Sequence, residues 1–224
     1  RLTSGSGSDR DRRSRWRPAG GGSDWQDLRY GPTSRLRLLW REPGNSPKYA
    51  RAAQDLGEAL AAAGLGLVFG AGGVGIMGAV SDAVLAAGGE VIGVIPQSLR
   101  DREYAREDLS DLRIVSTMHE RKALMHELSD AFVVLPGGLG TFEEFFEVLT
   151  WAQLDLHSKP IVVLDIDGYY RPLVELLDHA ESSGFMRPAD RALVTVVETT
   201  AEVLETLTQA WDAVPTTVSR DSEA

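Results

Sequence analysis

Residues 131–144 read Ala131-Phe-Val-Val-Leu135-Pro136-Gly137-Gly138-Leu139-Gly140-Thr141-Phe142-Glu143-Glu144. The apolar run Ala131–Leu135 predicts a buried strand, the proline and glycines a tight loop, and the residues from Phe142 to Leu156 a helix. Glycines let backbone N–H groups approach an anion, and the N-terminus of the following helix adds partial positive charge. Two carboxylates in the first helical turn stand beside that cradle. Thr141-x-x-Glu144 also satisfies a capping box, and acids are favoured at a helix start. Capping does not call for three glycines in four residues, so a phosphate site is the expectation.

Outward from this stretch, short apolar runs alternate with helical ones, the pattern of a parallel α/β sheet. Strands are expected at Leu36–Trp40, Leu65–Phe69, Glu90–Ile95, Leu112–Val115, Ile161–Leu164 and Leu193–Val197. Ser46 and Pro47 read as N-cap and first helical residue, and Gly64 as the stop; Ala50, Ala53, Leu56, Leu60 and Ala63 share the buried face. Further helices are expected from the glycine loop to about Ala87 and at Met118–Ser129, Tyr169–Ser183 and Ala201–Trp211. Residues 36–211 thus form a single domain. Residues 1–35, rich in Gly, Ser and Arg and without period, are expected to be a disordered basic tail, and residues 212–224 a loose end.

A second glycine loop, Gly70-Ala-Gly72-Gly73-Val-Gly75, fits GxGxxG between a strand and a helix. Glu90 lies where a dinucleotide fold keeps its ribose-binding acid, so an NAD(P) dehydrogenase is one reading and a ligand-free tight turn another. Thr117-x-x-Glu120 is a further capping box, and it places Arg121 and Lys122 at the start of a helix. Cations there oppose the helix dipole by roughly 0.3–1 kcal/mol, which an anion at that helix end would offset.

Composition excludes several classes. The chain has 224 residues, no cysteine and a net charge of −10, so disulfides, thiolate metal sites and a cysteine nucleophile are ruled out. Residues 1–41 carry ten arginines against four aspartates, which leaves the remainder at −16 and argues against a nucleic-acid binder. His119, His126, His157 and His179 have no metal-ligand spacing, and no metal is expected. No apolar run has membrane-spanning length, and a cytoplasmic location is the expectation.

Taken together, Gly72-Gly73-Val74-Gly75-Ile76-Met77-Gly78, Met118-x-x-Arg121-Lys122 and Pro136-Gly-Gly-x-Gly-Thr-x-x-Glu144 closely resemble the LOG (Lonely Guy) family. Val94-Ile95-Pro96, Thr150-Trp151-Ala152-Gln153-Leu154, His157-x-Lys159-Pro160 and Asp167-Gly168-Tyr169-Tyr170 support the likeness, which runs from about Gly44 to Trp211. The resemblance implies a Rossmann-like, doubly wound fold and a homodimer. It also implies cofactor-free hydrolysis of the N-glycosidic bond of nucleoside 5′-monophosphates, whether cytokinin riboside monophosphates or AMP. Some members have been labelled lysine decarboxylases, but nothing in this sequence suggests a pyridoxal site. By motif, Arg121 and Glu144 would be catalytic, with Arg102 also implicated. Glu103, Met118, Lys122, Gly137, Gly138, Leu139, Gly140, Thr141, Phe142, Glu143 and Thr150 would contact the nucleotide, and Gly72, Gly73 and Met77 would line its pocket. A non-catalytic nucleotide-binding protein on the same sheet is the alternative.

One departure stands out. The family's first strand reads like Cys-Val-Tyr-Cys-Gly, and Leu36-Arg37-Leu38-Leu39-Trp40 stands in its place. Codons for the second run, read one base later, encode the first. Residues 1 to about 41 are therefore expected to be an out-of-frame reading, with one wall of the pocket altered. Tryptic peptides from residues 18–35 in the native protein would exclude this.

Overall fold

Seven parallel strands form one sheet in the order β4-β3-β2-β1-β5-β6-β7. The computed structural model describes residues 34–39, 44–100 and 105–213. Strands are β1 (Arg35–Leu39), β2 (Gly66–Phe69), β3 (Val91–Pro96), β4 (Asp111–Val115), β5 (Ala131–Val134), β6 (Ile161–Leu164) and β7 (Val194–Val197). Helices are α1 (Pro47–Ala62), α2 (Gly75–Ala86), α3 (Met118–Glu127), α4 (Leu139–Gln153), α5 (Arg171–Ser182), α6 (Pro188–Arg191) and α7 (Thr200–Asp212). The tail expected over residues 1–35 lies almost wholly outside the described residues, as does the end beyond Ala213.

The expected α/β class is the observed one, and its physical basis is direct. β2, β5 and β6 are buried along their whole length, so they read as continuous apolar runs, not as alternating ones. α1 starts as expected, with Ser46 Oγ accepting the Lys48 N–H and Pro47 in the first turn. The chain steps outward from β1 to β4, then returns to the far side of β1 for β5 and steps outward again to β7. The point where the winding reverses lies between β1 and β5, and open sheets of this kind bind ligands outside the carboxyl ends of such strands. The loop of residues 135–138 leaves β5 there.

Three expectations need correction. α4 begins at Leu139 with Gly138 as its N-cap, three residues earlier than Phe142, because the glycine supplies the extended cap geometry. The capping box expected at Thr141 and Glu144 does not form: Thr141 lies inside the first turn, and its Oγ1 is buried with no partner among the described residues. Glu90 precedes β3 at the amino edge of the sheet and is bound by Arg35 at 2.7 Å, so it is remote from any ribose held at the carboxyl edge. α6 escaped the sequence reading, being too short to show a helical period. At Thr117 the side chain does cap, accepting the Glu120 N–H at 3.1 Å, while Glu120 reaches back to the Ser116 N–H at 2.8 Å.

The two faces of the sheet are packed differently. One is a single continuous apolar cluster in which Leu36, Leu67 and Val133 meet α1, α2 and α7 through Leu56, Val80 and Leu204. The other face is divided. Val68, Ile92 and Val94 pack on Met125 of α3, whereas Phe132, Val134 and Val163 pack on Phe145 and Leu149 of α4. Arg37 pairs in register with Val68 on one side and Phe132 on the other, so its side chain enters this second face at the division.

Deeper on that face His126 stacks on Phe132 at 5.6 Å and meets the edges of Trp151 and His157 at 5.1 and 5.0 Å. Its Nε2 has no partner among the described residues. Burial, with the charges of Lys159 and Arg37 nearby, pushes its pKa down to about 4. His157 is also lowered, chiefly by burial. The fold therefore resists protonation of both rings, whereas the unfolded chain protonates them as pH falls below about 6.5. Because the unfolded state then binds more protons, stability is full above that pH and declines towards pH 4. Urea midpoints are expected to drop between pH 7.5 and pH 5, and His126→Phe to reduce that drop; a midpoint flat over this range would refute the assignment.

Candidate active site

The loop after β5 is held from behind by two tyrosines. Tyr170 Oη donates to the Leu135 carbonyl and Tyr169 Oη to the Gly137 carbonyl, each at 2.5 Å. Tyr170 is buried, and burial raises its pKa, so it stays a proton donor. With two carbonyls tied back, the turn into α4 is fixed. A Cβ at Gly138 or Gly140 would meet nothing within 4 Å, so an anion can approach this backbone. The buried, unpartnered Thr141 Oγ1 and the N-terminus of a 15-residue helix lie at the same place, and both favour a phosphate oxygen.

Glu144 stands in the second turn of α4, its side chain 19% exposed. Its Oε2 accepts from Arg37 Nη2 at 3.1 Å. Arg37 itself is 0% exposed, and its Nε and Nη1 have no partner among the described residues. Each such buried donor costs about 1–3 kcal/mol. The guanidinium carbon lies 6.0 Å from the centre of the Phe132 ring.

Arg121 crosses the carboxyl ends of β2 and β3. Its Nε donates to the Val94 carbonyl at 3.1 Å, Nη2 to the Gly70 carbonyl at 2.8 Å and Nη1 to Met118 Sδ at 3.7 Å. The side chain thus lies in the sheet edge, and the residue is only 7% exposed. A Cβ at residue 70 would sit 1.9 Å from Nη2, which is why a glycine is required there. Two further residues of the first glycine loop meet their own chain. Gly72 bridges Ala105, and the Arg106 N–H donates to the Ala71 carbonyl at 3.1 Å. With Glu90 at the opposite edge, bound by Arg35, the dinucleotide reading loses its acid.

Lys122, expected at the nucleotide, instead lies between Glu143 and Glu147, 2.7 Å from each. Burial lowers its pKa, but the bonds to these two carboxylates outweigh that and raise it. The contact ties α3 to α4. Met77 of α2 is buried in the larger core cluster. Thr150 is exposed and lies eleven residues beyond Leu139 on α4, about 16 Å along the axis at 1.5 Å per residue. Within one chain it does not meet the loop. Arg102 and Glu103 lie outside the described residues. What sequence reasoning missed was Arg37, whose only signal was an arginine in an apolar strand, and the anchoring part of Tyr169 and Tyr170.

A family model described as possible lysine decarboxylase matches residues 77–207. A cytokinin riboside 5′-monophosphate phosphoribohydrolase of Rhodococcoides fascians is 51% identical over 155 residues, which are 69% of this chain and 78% of that protein. The chain belongs to the family of these phosphoribohydrolases. A member from Arabidopsis thaliana with the same activity in its name is 45% identical over 164 residues, 73% of this chain and 76% of its own. Among solved structures, a molybdenum cofactor carrier protein from Chlamydomonas reinhardtii superposes with a TM-score of 0.61 at 20% identity, covering 80% of this chain and 99% of its own. That likeness concerns the fold alone. Of the residues that the family motifs single out, Met118 and Arg121 meet each other at the ends of β2 and β3, and the loop 137–141 and Glu144 follow the end of β5, whereas Met77 is buried in a core cluster and Thr150 lies further along α4.

Proposed function

We propose that the chain hydrolyses the N-glycosidic bond of nucleoside 5′-monophosphates, cytokinin riboside monophosphates among them, to the free base and ribose 5-phosphate. The observation that carries this reading is the carboxylate of Glu144 one helical turn from a backbone cradle for phosphate, at the point where the sheet winding reverses. The 5′-phosphate would lie on the amides of residues 138–141, with Thr141 Oγ1 donating to it. The ribose would then lie beside Glu144.

As the bond from C1′ to the base nitrogen breaks, its electron pair stays with the base and the sugar takes oxocarbenium character. A carboxylate close to C1′ stabilises that charge and can take a proton from the attacking water, whose oxygen joins C1′. The base nitrogen takes up a proton as it leaves. Arg121, held by two carbonyls, would bring its positive charge to the leaving base or the phosphate. The homodimer is part of the proposal. Phe146 and Leu154 present exposed apolar surface on and just past α4, and a partner packed there would bring Thr150 towards the other copy's crevice.

The test is a product assay with AMP and with isopentenyladenosine monophosphate, following free base by chromatography. Release of base supports the hydrolase, and the ratio of the two rates identifies the preferred base. Binding without release from either nucleotide would favour the non-catalytic alternative.

A further inference from the structure

We infer that Arg37 is a positioning residue for Glu144 and that it holds down the turnover of this chain. The inference rests on the reading of Glu144 given above. Arg37 occupies the central strand next to the reversal of the winding, where its register neighbours Val68 and Phe132 are apolar. It is wholly buried, and among the described residues its side chain hydrogen-bonds to Glu144 Oε2 alone. With Nε and Nη1 unpartnered among the described residues, no other acceptor draws it elsewhere. Among the described residues, Glu144 is therefore the one counter-ion bonded to a charge that cannot reach water, and such a pair does not part readily. The charge is felt well beyond that contact, since it helps to lower the pKa of both His126 and Lys159.

The consequence for the reaction follows from where charge develops. The ribose is neutral in the bound nucleotide and positive near the transition state. A carboxylate already bonded to a buried guanidinium offers less negative potential to that charge, and the guanidinium itself repels it. Ground-state binding, governed by the phosphate on the loop amides, is left nearly unchanged. The effect falls on kcat and spares KM.

The experiment compares the full chain with Arg37→Met, Arg37→Lys, Glu144→Gln and the double variant Arg37→Met/Glu144→Gln. Base release and urea unfolding are measured for each, with Arg37→Val as the second substitution should the methionine variant not fold. Arg37→Met is expected to raise kcat about ten-fold or more with KM within about two-fold. It is also expected to raise the urea midpoint, because an under-satisfied buried charge is gone. Arg37→Lys, which keeps the charge, is expected to keep the low rate. In the Glu144→Gln background, removing Arg37 is expected to raise the residual rate clearly less than it does with glutamate at 144, since only the direct repulsion is then relieved, and a merely structural role for Arg37 would not produce that difference. An equal or lower kcat in a folded Arg37→Met chain overturns the inference, as does an equal gain with glutamine at 144. If nucleotide binds but no variant releases base, the hydrolase reading falls and takes this inference with it. Release from the unaltered chain at a rate that Arg37→Met does not raise removes this inference alone.

Discussion

Glu144→Gln is expected to lower kcat for base release by about 10²- to 10⁴-fold, the range associated with a lost general base or a lost electrostatic stabiliser. KM for the nucleotide should change little, because the phosphate is held by loop amides that the substitution does not touch. Glutamine is the appropriate replacement. Its amide oxygen can still accept from Arg37 Nη2, so the buried guanidinium keeps its one partner. Alanine would leave that guanidinium without its one bonded partner, and an unpaired buried charge costs about 3–5 kcal/mol, enough to confuse a catalytic defect with unfolding. Base release by chromatography and a urea transition on the same preparation separate the two. A rate within a few-fold of the unaltered chain, with the fold intact, would remove Glu144 from the chemistry.

Gly70→Ala is the second substitution of large expected effect, although residue 70 touches no substrate in the proposed reaction. The new methyl group would lie 1.9 Å from Arg121 Nη2, within the space the guanidinium now fills. The methyl is fixed to the backbone and cannot give way, so Arg121 must leave its bonds to the Gly70 and Val94 carbonyls. Misplacing a catalytic group by an ångström costs on the order of 10²-fold, and that is the fall expected in kcat/KM. Arg121→Ala should lower the rate at least as far, and the double variant Gly70→Ala/Arg121→Ala no further, since both act through one guanidinium. Losses that add fully in the double variant would mean that Gly70 acts by another route.

The position of Arg37 bears on how the chain compares with its relatives. A buried arginine in the central strand divides what would otherwise be one apolar face into two clusters. It also introduces two buried donors without partners among the described residues. The sequence reading that this strand departs from the family pattern and alters one wall of the pocket meets, in the structure, a guanidinium bonded to the carboxylate of greatest catalytic interest.

Much of the molecule was legible in the order of residues alone. Continuous apolar runs such as Ala131–Val134 can only be strands buried on both faces, and their alternation with helical stretches demands a parallel sheet. The loop from Pro136 to Thr141 and the helix start that follows it were also legible, because glycines and helix starts are local properties of the chain; that the loop cradles a phosphate is part of the proposed function. What stayed hidden depends on distances between residues far apart in sequence. Gly70 looks like a phosphate-loop glycine until Arg121, 51 residues later, is seen to occupy the place of its side chain. Lys122 looks like a phosphate ligand until Glu143 and Glu147 are found on either side of it. Glu90 looks like a ribose-binding acid until the sheet places it at the wrong end of its strand, beside Arg35. Local sequence determines which groups can bind an anion, whereas only the packing of strands and helices decides which of them are left with a hydrogen bond to give.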